Sequence, residues 1–186
     1  MEVRYGKNFK NIIGEKVRNT SLKRFGTPSP ILNSDIKSKS KSKYKYDGRF
    51  FDSFSELTYY FWLKNNNISF DYKPNIYFLY YDMNGKKHRY YPDFKVNDKF
   101  VEIKGDHFFT QIGDMINPYL NEKIPLEERD YQNNLYKEKF LCMKKNSIII
   151  LKDSECSQFK EYFLEKMGFH SFQNAKESLK IQKNSQ

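Results

Sequence analysis

The sequence predicts an α/β fold in which a mixed central sheet is flanked by helices and preceded by a basic helical extension. Three observations lead there. Strand-like runs between residues 76 and 104 sit between two helical patterns, a short apolar strand at 147–152 follows the second of these, and the charge is unevenly split along the chain. Of 33 Lys and Arg, 12 fall in residues 1–45 with only 3 of the 23 Asp and Glu, so that quarter carries nearly all of the net +10. This makes residues 1–45 a basic arm on a near-neutral body, and such an arm attracts a polyanion.

Within the arm, Arg4-Tyr5-Gly6 and Arg24-Phe25-Gly26 recur 20 residues apart, as two copies of a short helical module ending at glycine. Residues 34–45 alternate Ser and Lys with no hydrophobic face beyond Ile36, which reads as a linker able to follow phosphates. The boundary falls near Lys45, leaving a body at 46–172 and a polar tail at 173–186. Ser53-Phe54-Ser55-Glu56 has the form of a capping box and opens a helix to about Asn65, with Phe54, Leu57, Phe61 and Leu63 as apolar positions. Residues 76–81 are β-branched and aromatic, Asn84-Gly85 marks a tight turn, and 87–96 returns as the second arm of a hairpin. Its tyrosines, Tyr77, Tyr80, Tyr81, Tyr90 and Tyr91, are expected chiefly in the core, base stacking being the other use for so many rings. A third strand, 99–104, follows the Asn97-Asp98 turn. After a long connection at 105–125, a Lys-rich helix from Glu128 to Lys145 leads into 147–152, apolar enough to be buried on both faces. A last helix over 154–167 stops at Gly168. The order is αβββαβα.

An aromatic fraction of 18% excludes a disordered chain. No run approaches the roughly 18 apolar residues of a membrane span, and Met1-Glu2-Val3-Arg4 begins no signal-type apolar segment. The expectation is a cytoplasmic protein, in a host cytoplasm if phage-encoded, with no membrane partner. Cys142 and Cys156 with three scattered histidines form neither a disulfide framework nor a zinc site.

The chemistry concentrates at Tyr91-Pro92-Asp93 and, after eight intervening residues, Glu102-Ile103-Lys104. Residues two apart on a strand share a face, so Glu102 and Lys104 project together while Val101 and Ile103 pack on the other side. Two carboxylates from adjacent strands suit a hard cation such as Mg²⁺, which keeps waters and takes phosphate oxygens as further ligands. Lys104 would orient or activate water and hold charge on the attacked phosphate. Replacing Asp93 or Glu102 is expected to leave stability nearly unchanged, because fewer like charges then repel one another.

Pro92-Asp93 with Glu102-Ile103-Lys104 resembles the motif of the PD-(D/E)xK nuclease superfamily. Around it, the helix opening that carries Glu56, the run Gly105-Asp106-His107-Phe108-Phe109, and the helix leading into 147–151 are similar to phage-type homing endonucleases and very-short-patch-repair-like nucleases. The resemblance covers residues 46–152, and 1–45 loosely resemble the DNA-binding modules appended to such enzymes. It implies a restriction-endonuclease-like αβββαβ core and an endonuclease of double-stranded DNA that uses Mg²⁺, with Mn²⁺ able to substitute. It also implies Asp93, Glu102 and the Ile103 carbonyl as metal ligands, with Glu56 and Lys104 completing the catalytic set. DNA contacts are expected from Lys23, Arg24, Lys37, Lys39, Lys41, Lys43 and His107. One motif cuts one strand, so a homodimer is expected where both are cut. A homing or otherwise site-specific enzyme is the first expectation; the alternatives are a restriction or mismatch-repair nuclease, a DNA-binding protein that keeps the fold without turnover, and an RNA-binding or RNA-cutting protein that uses the aromatic hairpin as a stacking platform. Lys137 and Lys139 lie on a helix that in this superfamily can face the site, although a helical lysine is ordinarily solvated. His88 and His170 are expected to be structural.

Overall fold

The computed structural model describes residues 43–181 together with Asn19, Thr20 and Lys23, these three having helical backbone. Phe54 and Lys176 mark the divide between two compact units, the larger being Ser55–Ala175. This differs from the boundary near Lys45 that composition indicates. In the smaller unit, β1 (Tyr44–Tyr46) and β2 (Arg49–Phe51) form an antiparallel hairpin. Asp47 and Gly48, at φ 51° and 71°, supply the two left-handed residues of its turn. Residues past the last helix return to it: Tyr44 bridges Lys180, and the Ile181 N–H donates to the Lys43 carbonyl at 2.9 Å.

The larger unit holds a mixed sheet of four strands, built from β3 (Phe70–Tyr72), β6 (Phe94–Val96), β7 (Lys99–Lys104) and β8 (Ile149–Lys152) in the spatial order β3-β6-β7-β8. The first two pairings are antiparallel, and β7 with β8 is parallel. A parallel return needs a crossover, and α2 (Leu126–Lys145) is part of it. A separate hairpin pairs β4 (Phe78–Tyr81) with β5 (Lys87–Tyr90) around Asn84-Gly85.

The long strand expected at 87–96 is therefore two strands in different sheets. Pro92 is the cause, since it has no N–H to give to a ladder and breaks the run at Tyr91-Pro92-Asp93. The strand expected to be buried on both faces, β8, is instead one of the two edge strands of its sheet, and Ile149 is 38% exposed.

Helices cover both faces. On one, α1 (Phe54–Asn65) packs on α3 (Ser157–Met167) through Tyr59 against Phe159 and Phe61 against Phe163, with ring centroids 4.9 and 4.8 Å apart. Tyr59 also meets Phe94 of β6 edge-on at 5.1 Å, which seats the pair on the sheet. On the other face, Phe140 and Met143 of α2 pack with Phe100 of β7 and with Phe78, Tyr80 and Tyr90 of the hairpin. Burying each such side chain contributes roughly 1.5–3 kcal/mol. Asn67 ends α1 in the left-handed region, with the Ile68 N–H on the Leu63 carbonyl, and Gly168 ends α3 in the same way. A fourth helix, α4 (Phe172–Leu179), occupies the start of what reads in sequence as a polar tail, and its Ala175 is fully buried. The result is a mixed α/β protein with four α-helices and one four-stranded sheet among the described residues.

Candidate active site

The site begins on β7, an inner strand of the sheet. Alternation sends Phe100, Glu102 and Lys104 toward α2, and Val101 and Ile103 to the opposite face, where both are buried. Glu102 is only 1% exposed, and a carboxylate that deep must have partners. The Tyr90 hydroxyl donates to its Oε2 at 2.9 Å, and Lys104 Nζ lies 2.5 Å from Oε1. A second ammonium, Lys139 on α2, is 3.9 Å from the same oxygen and 5.1 Å above the Tyr90 ring.

Asp93 enters because β6 is short. The β6 ladder ends where Phe94 pairs with Val101, so beyond Val101 that edge of β7 has no strand to accept its N–H groups. The Asp93 side chain takes the strand's place: its Oδ2 accepts the Ile103 N–H at 2.8 Å. The Asp93 carbonyl accepts from Lys73 at 2.7 Å, which fixes the residue from the β3 side. Glu56, in the first turn of α1, is buried, and its Oε2 accepts the Tyr72 hydroxyl at 3.2 Å.

Charge is concentrated here. Burial, followed by the Glu102 and Glu56 carboxylates, raises the Asp93 pKa well above the ordinary carboxylate value, and Lys104 and the Ile103 N–H offset only part of this. Burial on its own would lower the Lys104 pKa, but Glu102, Asp93 and Glu56 together outweigh it and hold the ammonium above its usual value. Lys139 goes the other way, lowered by burial and by Lys104 against the opposing pull of Glu102 and Asp93. The Tyr90 phenol is raised by burial and by Glu102.

Asp93, Glu102 and the Ile103 carbonyl form an all-oxygen donor set. A strand residue points its N–H and C=O to the same edge, so the Ile103 carbonyl shares the edge at which its N–H meets Asp93. Among the described residues, no group of three or more His, Cys, Asp and Glu side chains is arranged to hold a metal ion. Mg²⁺ needs no such cage, being held by one or two carboxylates together with phosphate oxygens. Burial and the neighbouring carboxylates, which together raise the Asp93 pKa, both disfavour its charge, and a hard cation would offset them, so the donor chemistry is compatible with Mg²⁺ or Mn²⁺.

The expected DNA contacts fare unevenly. Lys23 and Lys43 are exposed, and Arg24, Lys37, Lys39 and Lys41 lie outside the described residues. His107 is exposed and folds back over Gly105, so closely that a Cβ added there would collide with its ring. Asp106 accepts the Ser154 N–H at 3.0 Å and hydroxyl at 2.5 Å, tying the connection to the turn before α3. Tyr90 and Lys139 are the site residues that sequence reasoning assigned to the core and to solvent. Lys139 carried a signal, for it adjoins the apolar positions Tyr136, Phe140 and Met143 of α2.

No helix among the described residues is long and apolar enough to cross a membrane. No protein-family model matches the chain, and neither the curated proteins nor the solved structures contain a match.

Proposed function

We propose that the chain is a metal-dependent DNA endonuclease of homing or other site-specific type, with a restriction-endonuclease-like core. The observation that carries this is the convergence of Asp93, Glu102, Lys104 and Glu56 at one buried edge of β7, with Asp93 locked to the Ile103 N–H. Burying Glu56 and Glu102, with Asp93 half-buried, beside two ammonium groups costs stability, and a protein that only binds DNA gains nothing from that cost. A restriction or mismatch-repair enzyme would use the same chemistry on a different target.

Asp93, Glu102 and the Ile103 carbonyl would hold Mg²⁺. When bound, the ion supplies Lewis acidity and charge to the scissile phosphate. Lys104, whose carboxylate neighbours favour its charged form, would donate to the attacked phosphate and hold its developing negative charge. Tyr90 fixes Glu102 by occupying Oε2, which leaves Oε1 toward the lysines. The water oxygen bonds to phosphorus and gives up a proton to solvent as the bond to the 3′ oxygen breaks and that oxygen takes a proton from solvent, leaving a 5′-phosphate and a 3′-hydroxyl. The basic arm supplies affinity through phosphate contacts, and one site per chain implies two chains, or two events, for a double-strand break.

The test is incubation with duplex DNA, single-stranded DNA and RNA, in Mg²⁺, Mn²⁺ or EDTA. Metal-dependent cutting of duplex DNA is expected, abolished by Glu102→Gln and slowed about 10²–10³-fold by Lys104→Met. Absence of cutting on all three substrates would overturn the proposal, and cutting of RNA alone would change its substrate.

A further inference from the structure

The tyrosines of the β4–β5 hairpin are not all in the core. Phe78, Tyr80 and Tyr90 face α2, while Tyr77, Leu79, Tyr81 and Tyr91 are 44, 43, 51 and 45% exposed. These four lie on one surface. Leu79 pairs across the ladder with Arg89 and Tyr81 with Lys87, and the flanking Tyr77 and Tyr91 have ring centroids 5.8 Å apart. Arg89 lies 4.7 Å over the Tyr77 ring, a cation–ring contact within the patch. Neither Lys87 nor Arg89 makes an ion pair with a carboxylate among the described residues. The one acidic residue between Lys73 and Tyr91 is Asp82, which is buried and bonded to Asn84, Lys86, His88 and Tyr131. The outer face of the hairpin is thus aromatic and apolar, with Lys87 and Arg89 as its charged side chains.

We infer that the outer face of this hairpin is a stacking platform for an unpaired nucleic-acid strand, with Tyr77, Tyr81 and Tyr91 meeting bases and Lys87 and Arg89 meeting phosphates. Its choice of a nucleic acid rests on the nuclease proposal. The choice of an unpaired strand rests on the rings, because a duplex hides its base faces in the stack while a single strand offers them. Charge complementarity favours this occupant over a second copy of the chain, since two such faces would bring like charges together. Placement adds to this. Tyr91 lies two residues before Asp93, and the opposite face of the hairpin carries Tyr90, which bonds Glu102, so the platform and the candidate catalytic edge are joined by one short stretch of chain. The platform would hold a frayed or flipped segment flanking the cut.

The test uses the full chain in EDTA, where no cleavage intervenes, and follows fluorescence anisotropy of a labelled single-stranded oligonucleotide and of its duplex. Tyr77→Ala with Tyr81→Ala should weaken single-strand binding by about tenfold or more, leave duplex binding unchanged, and be rescued by Phe at both positions. Both side chains are exposed, and circular dichroism checks that the fold persists. Unchanged single-strand affinity would overturn the inference. So would an equal loss on the duplex, which would make the ribbon a groove contact, or loss of a dimer in sedimentation with DNA binding intact. Ring-dependent strand binding without Mg²⁺-dependent cleavage would sink the nuclease proposal alone; cleavage with ring-independent binding would sink this one alone.

Discussion

Glu102 on β7 and Asp93 just before β6 carry the same charge, yet their surroundings make opposite demands on stability. Glu102 is tied to Lys104 and Tyr90 in the interior. Glu102→Ala would take the paired carboxylate from the half-buried Lys104 ammonium and the acceptor from the buried Tyr90 hydroxyl, so a loss of about 3 kcal/mol is expected in denaturant unfolding. That replaces the near-neutral effect anticipated from charge repulsion alone, because the sequence does not reveal that the Glu102 charge is matched. Asp93 fits the repulsion argument, its pKa being raised by burial and by two neighbouring carboxylates. A carboxyl whose folded pKa lies above its unfolded value costs stability once pH rises through the folded pKa, and costs nothing below the unfolded one. Asp93→Asn keeps an acceptor for the Ile103 N–H and removes the charge. It should therefore stabilise the apo protein at neutral pH and not in acid, as equilibrium unfolding across pH would record; destabilisation at pH 7 would contradict the assignment.

At the scale of elements, the hairpin is fastened to α2 by one carboxylate. Asp82 Oδ1 accepts the Asn84 and Lys86 N–H groups at 3.0 and 2.9 Å, and Oδ2 meets His88 Nε2 at 2.9 Å and the Tyr131 hydroxyl at 2.8 Å. The His88 bond, working against burial and joined by Tyr131, Lys86 and Asn84, holds the Asp82 pKa below its ordinary value. A depressed folded pKa stabilises above the unfolded value and loses that contribution as pH falls through the folded one. Asp82→Asn should thus lower stability at neutral pH, with the difference from wild type shrinking in acid below about pH 4. A difference that does not change with pH would contradict this. The hairpin turn was legible from Asn-Gly, and the turn at Asp47-Gly48 carried a like signal. The division of 87–96 rested on Pro92, whose missing N–H counts only once the ladder it would have joined is known.

For the whole molecule, the test of affinity against chemistry is truncation of the arm. Composition puts the cut near Lys45, but the Lys43 N–H bonds the Phe51 carbonyl and its carbonyl accepts from Ile181, so the shorter chain should begin no later than Lys43. It lacks 10 of the 12 basic residues of the arm and keeps Glu56, Asp93, Glu102 and Lys104. The slope of log K against log salt should become shallower by about 0.9 for each phosphate that the shorter chain leaves unneutralised. Equal slopes for the two chains would remove the arm from DNA binding.

Periodicity and turn chemistry determined the helices, the hairpin, and the strand that places Glu102 and Lys104 on one face and Val101 and Ile103 on the other. Those are local properties, set by spacing along the chain. Tertiary structure alone decided that β8 is an edge strand, that β3 exists, and that α4 forms within an apparently polar tail. It alone brought Tyr90 and Lys139 to Glu102 and turned four of the hairpin's apolar side chains outward. Each of these depends on which surface meets which, and so on contacts between residues far apart in sequence, which a local pattern such as the apolar neighbours of Lys139 can suggest and cannot fix.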